Sequence, residues 1–135
     1  MVLNWVQLKA KNYEHVYTDI AAIRNIAPHP ILLKVILETS QLSRSDIIAG
    51  CKIAEAARAD FVKTSTGLNG PGATIENVRL MKAMVGDDVK VKASGGVKTI
   101  HECLAMMKAG AERIGTSNGV GIINEAKGLI DEITY

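Results

Sequence analysis

Apolar positions recur with two different periods along this chain. Short runs of aliphatic and β-branched residues, at Ile31 to Leu37, Phe61-Val62, Val89 to Val91 and Ala111 to Gly115, have the length and composition of strands. The run from Ile31 to Leu37 is interrupted only by Lys34, as expected for a parallel strand covered on both faces. Between these runs the apolar residues step by three and four. Tyr13, Val16, Tyr17, Ile20 and Ile23 make one face of a helix that ends before Pro28-His29-Pro30. Ser43-Arg44-Ser45-Asp46 opens an alanine-rich helix predicted from about Asp46 to Arg58. Thr74 caps a helix with Val78, Met81 and Met84 on its inner face, and Thr99-Ile100-His101-Glu102 is a capping box for the next. Past Ser117-Asn118-Gly119 a terminal helix is predicted to run to about Ile133. The apolar start, Met1 to Val6, reads as one more short strand.

Five strands alternating with helices define a parallel α/β sheet with right-handed crossovers, so every strand points its C-terminal end to one face. Three lysines interrupt otherwise apolar strands near that face: Lys34, Lys63 and Lys92. Lysines usually lie solvated on helices, which makes these positions informative. Lys63 shares strand parity with Phe61 and Ser65, while Val62 and Thr64 face the other way. An amine delivered to the mouth of a sheet can act as a nucleophile if burial or a second cation removes its proton, and Lys92 is the candidate second cation. Lys90 shares the strand face of Lys92. The loops that follow are rich in glycine: Gly67, Gly70 and Gly72 after one strand, Gly95-Gly96 after the next. Backbone amides there can approach an anion with no side chain in the way. His29, between two prolines, reads as a loop residue, and His101 as an exposed residue of a first helical turn.

Three motifs in order, Leu33-Lys34-Val35-Ile36-Leu37-Glu38-Thr39, Lys63-Thr64-Ser65-Thr66-Gly67 and Val91-Lys92-Ala93-Ser94-Gly95-Gly96-Val97, resemble the deoxyribose-phosphate aldolases, a class I aldolase family. Ile114-Gly115-Thr116-Ser117 is similar to that family's last strand and phosphate loop. The resemblance implies a TIM-type parallel (β/α) barrel, incomplete here, with about five of the eight strands and the first three missing. It implies reversible aldol cleavage of 2-deoxy-D-ribose 5-phosphate to glyceraldehyde 3-phosphate and acetaldehyde through a lysine Schiff base. By resemblance Lys63 is the Schiff-base lysine, and Lys92 lies beside it, lowers its pKa and assists proton transfer. Gly67, Gly95, Gly96 and Ser117 match phosphate contacts, Asn118 stands where the family has a second serine, and Lys34 matches a supporting lysine. The family's catalytic aspartate would lie immediately before Met1, so little turnover is expected from the isolated chain.

Length and composition set bounds of their own. At 135 residues the chain is one domain, residues 1–135, well short of the roughly 250 residues of a complete barrel. A hydrophobic content of 47% and a net charge of +2 with scattered basic residues suit a globular protein and argue against nucleic acid as a partner. No membrane-spanning or secretory segment is legible, and Cys51 and Cys103, inside helical patterns without metal-ligand spacing, read as reduced, buried thiols of a cytoplasmic protein. No metal or other cofactor is expected. The expected partners are a small phosphorylated sugar or aldehyde and, because a five-strand arc leaves unpaired edges, further copies of the same chain. Two other readings stay open on the residues alone: a non-catalytic half-barrel that binds a phosphorylated ligand or partner, and another phosphate-binding barrel enzyme.

Overall fold

A computed structural model describes residues 1–133. Four parallel strands, β1 (Lys34–Ile36), β2 (Phe61–Lys63), β3 (Lys90–Ser94) and β4 (Arg113–Gly115), lie side by side in chain order. The crossovers are α3 (Arg44–Ala56), α4 (Ile75–Met84) and α5 (Ile100–Lys108). Helices α1 (Trp5–Lys9) and α2 (Tyr13–Ile26) precede the sheet, and α6 (Gly119–Ile133) follows it. This is the parallel α/β architecture that the alternating pattern predicts.

The amino-terminal strand is the main departure. Met1 to Leu3 do run parallel to β1, with Leu3 N–H donating to the Ile36 carbonyl and Ile36 N–H to the Met1 carbonyl at 3.0 and 2.9 Å, but only Val2 forms a bridge. Asn4 ends the extended stretch because its side chain accepts from the Gln7 amide at 3.1 Å and caps α1. Trp5 and Val6 thus enter a helix, and the five expected strands become four and a bridge. Elsewhere the caps fall where the residues place them. Ser43 with Asp46 and Thr99 with Glu102 each form both bonds of a capping box, and Thr74 caps α4.

Register sorts the two faces of the sheet. Val35, Val62 and Val91 are paired across β1, β2 and β3, all fully buried, and pack under the helices with Val16, Ile20, Cys51, Val78 and Met81. The alternate residues point to the other face, where Ile36, Lys63, Lys92 and Arg113 form one row across the four strands. The helices therefore cover one face only, and the cations gather on the other.

The end of the sheet away from the glycine loops is tied by an ion pair. Arg24, 7% exposed, donates to the carbonyls of Arg58, Ala27 and Ile31 at 2.8–3.0 Å and pairs with Asp60, which also accepts the Leu33 amide at 2.6 Å. Burial alone would raise the Asp60 carboxyl; the Leu33 and Arg24 hydrogen bonds and the charges of Arg24 and His29 outweigh it and hold the carboxyl below its ordinary value. His29 sits in its loop, Nδ1 3.5 Å from Asp60. Both cysteines are free; Cys51 is buried as expected, whereas Cys103 is only partly so. No helix among the described residues is long and apolar enough to cross a membrane.

Candidate active site

Lys63 closes β2 and Lys92 is its registered partner on β3, so the two side chains leave the same face from neighbouring strands about 4.8 Å apart. Both line a cavity of about 410 Å³ at the C-terminal end of the sheet. Partial burial first, then the charges of Lys63, Lys34 and Arg113, push the Lys92 ammonium below its ordinary value. Beneath this row lies Phe61, whose ring has Lys34 Nζ 5.9 Å and the Arg113 guanidinium 4.7 Å from its centroid.

The rim of the cavity is made of backbone. Gly67, Gly95 and Gly96 all line it, and all have left-handed φ of +88°, +88° and +82°, where a side chain would be strained. Among the described residues none of their three amides has a hydrogen-bond partner. Ser117 lines the cavity too, together with Thr116 and Lys98. The glycine loops are braced against each other: Ala73 N–H donates to the carbonyls of Ser94 and Gly95 at 3.0 Å, and a Cβ on Gly72 would stand 2.3 Å from the Gly95 carbonyl.

Of the residues singled out from the sequence, Lys63, Lys92, Gly67, Gly95, Gly96 and Ser117 thus meet at one cavity. Asn118 does not. Its side-chain amide, expected to replace a hydroxyl donor, gives one N–H to the Lys98 carbonyl at 2.8 Å, and its backbone amide donates to Thr116 Oγ1 at 2.9 Å. Lys34 stays one layer lower, against Phe61 rather than in the cavity wall.

Three residues at the site stand inside the sequence motifs but were given no role there. Thr64 Oγ1 exchanges hydrogen bonds with both backbone groups of Ser94. Ser94 Oγ, on the same face as Lys92, is buried without a partner among the described residues, and Gly115 makes room for it: a Cβ there would lie 2.1 Å from that oxygen and 3.0 Å from Lys92 Cε. Glu38, 1% exposed, accepts from Thr66. Its place at the C-terminal end of a strand was the available clue, because barrels keep their functional groups there.

A parallel sheet with a cationic row on one face, below a rim of glycine amides, defines a (β/α) domain of the barrel type. Comparison with known proteins agrees. The profile of the DeoC/LacD family aldolases matches residues 1–124. A curated deoxyribose-phosphate aldolase from Coccidioides immitis is 54% identical over 130 residues, covering 94% of this chain and 48% of that protein. Deoxyribose-phosphate aldolase 1 from Oceanobacillus iheyensis is 47% identical, covering 97% of this chain and 59% of its own. Among solved structures, QR15, an aldolase, superposes with a TM-score of 0.88 at 40% identity, covering 96% of this chain and 59% of that one. A tetrameric deoxyribose phosphate aldolase from Aeropyrum pernix superposes at 0.79 with 31% identity, covering 87% and 51%. The chain belongs to the DeoC/LacD family of aldolases. It spans about half the length of the curated relatives it matches.

Proposed function

We propose that this domain carries the Schiff-base half of a deoxyribose-phosphate aldolase, with Lys63 as nucleophile, Lys92 as its proton-handling neighbour and 2-deoxy-D-ribose 5-phosphate as substrate. The observation that carries this reading is the register pairing of Lys63 with Lys92 over one cavity rimmed by unpartnered glycine amides. The free amine of Lys63 adds to the substrate aldehyde and water leaves, giving an iminium. The hydroxyl on the third carbon then gives up its proton, the bond between the second and third carbons breaks, and its electrons pass to the iminium, forming an enamine and releasing glyceraldehyde 3-phosphate. The enamine carbon takes a proton, and water returns to free acetaldehyde and Lys63. Lys92, with its ammonium already destabilised, is suited to carry protons in these steps. Amides of Gly67, Gly95 and Gly96, with Ser117, receive the phosphate, and Lys98 adds positive charge at the rim.

Borohydride reduction in the presence of acetaldehyde tests the reading. An adduct should form on Lys63 and be lost in Lys63→Ala; a chain that takes no adduct at Lys63 overturns it. The tetrameric Aeropyrum pernix relative supports an oligomer in the cytoplasm, which size-exclusion chromatography would show as a species larger than a monomer.

A further inference from the structure

Glu38 follows β1 at the mouth of the sheet and combines two unfavourable features. Its side chain is buried, and its backbone is left-handed, at φ 59° and ψ 62°. A strained non-glycine backbone and a desolvated carboxylate persist together only where the surroundings over-determine them.

What surrounds Glu38 is the loop that leaves Lys63. One carboxylate oxygen accepts the Thr66 amide at 3.1 Å; the other accepts Thr66 Oγ1 at 2.5 Å and Asn69 Nδ2 at 3.3 Å. Thr66 Oγ1 in turn accepts the Leu68 amide at 3.1 Å. Of three successive amides, the first and third are therefore turned inward and bound, and only that of Gly67 is left over, at the cavity rim. A second tie, from Ser40 Oγ to the Asn69 carbonyl, fastens the same two loops.

We propose that Glu38 is a positioning residue, whose carboxylate clamps Thr66 and Asn69 so that the Gly67 amide is presented to the substrate phosphate. The inference rests on the phosphate reading of the rim given above. Only an acceptor on both oxygens meets three donors at once; glutamine keeps the volume but sets an NH₂ group against one of them.

The test is a titration of the ¹⁵N-labelled chain with inorganic phosphate, followed at the amides of Gly67, Gly95 and Gly96. In the native chain all three should shift together. In Glu38→Gln, Gly95 and Gly96 should still respond, with affinity weakened several-fold, while Gly67 falls silent. Thr66→Val, which removes the hydroxyl but leaves Glu38 in place, should weaken the Gly67 response selectively and guards against a Glu38 variant that does not fold. A Gly67 response in both variants equal to that of the native chain overturns the proposal, as does a native chain in which Gly95 and Gly96 respond and Gly67 does not. Silence at all three glycines in the native chain overturns the phosphate reading of the rim and the clamp with it.

Discussion

Thr64 Oγ1 donates to the Ser94 carbonyl and accepts from the Ser94 amide, both at 3.0 Å, so one buried hydroxyl locks the end of β2 to the end of β3. The lock lies one residue beyond Lys63 and two beyond Lys92, and it sets how the two lysines stand relative to each other. Thr64→Val keeps the shape and leaves the Ser94 amide without its partner, a loss of about 1–3 kcal/mol. Urea denaturation should show it, and the Ser94 amide should exchange faster with solvent. Unchanged stability would mean that the Ser94 amide finds another acceptor in the variant.

Gly115→Ala should damage the site from the neighbouring strand. The new methyl would stand 2.1 Å from Ser94 Oγ and 3.0 Å from Lys92 Cε, so both side chains must turn away. Overpacking of this kind costs about 1–3 kcal/mol. Borohydride trapping of acetaldehyde on Lys63 should slow in this variant although no amine is removed.

Asp60 should contribute to the acid limb of stability. Its carboxyl is held below the ordinary 3.8, so the folded state binds fewer protons than the unfolded one there. Stability is present above that ordinary value and is lost as the pH falls through the lowered folded value. Asp60→Ala strands the buried Arg24 guanidinium with carbonyl partners only, a cost of about 3 kcal/mol at neutral pH. The variant should also show a flatter acid limb in thermal melts against pH.

Lys92 should also make stability rise with pH, but as a penalty relieved in the alkaline range. Its ammonium is disfavoured in the fold, so the penalty is fully present below the lowered folded value and is relieved as the pH rises from there to the ordinary 10.5. Lys92→Met should therefore melt higher than the native chain at neutral pH, with the gap closing as the pH rises. A gap that widens would contradict the crowding of cations on this face.

The two cysteines should differ in reactivity. Burial pushes the Cys51 thiol up to about 12, while Cys103 is partly exposed. Iodoacetamide should label Cys103 in the native protein and Cys51 only after denaturation, as read by mass spectrometry.

Much of this was legible in the residues because local chemistry and long-range order agree. The capping boxes at Ser43 and Thr99 act within four residues of themselves, so they can be read without the fold, and the aliphatic runs between the helices have the length and β-branched content of strands. The first strand failed as a reading because Trp5 and Val6 suit a strand as well as a helix, and the Asn4 cap that decides between them is a single hydrogen bond. Lys63 and Lys92 stood out since lysine is foreign to a strand interior. Glu38 and Thr64 did not, because their importance lies in partners 28 and 30 residues away. The bond from Asn118 to the Lys98 carbonyl was illegible for a related reason, since the two residues lie 20 positions apart.

Phe61 is the only phenylalanine of the chain, and its ring lies between Lys34 and Arg113, directly under the row that holds both candidate amines. A single fluorine on that ring would give one uncrowded resonance sensitive to the electric field at the floor of the cavity. Such a reporter would follow titrations with acetaldehyde, with phosphate and with pH without modifying any group proposed to take part.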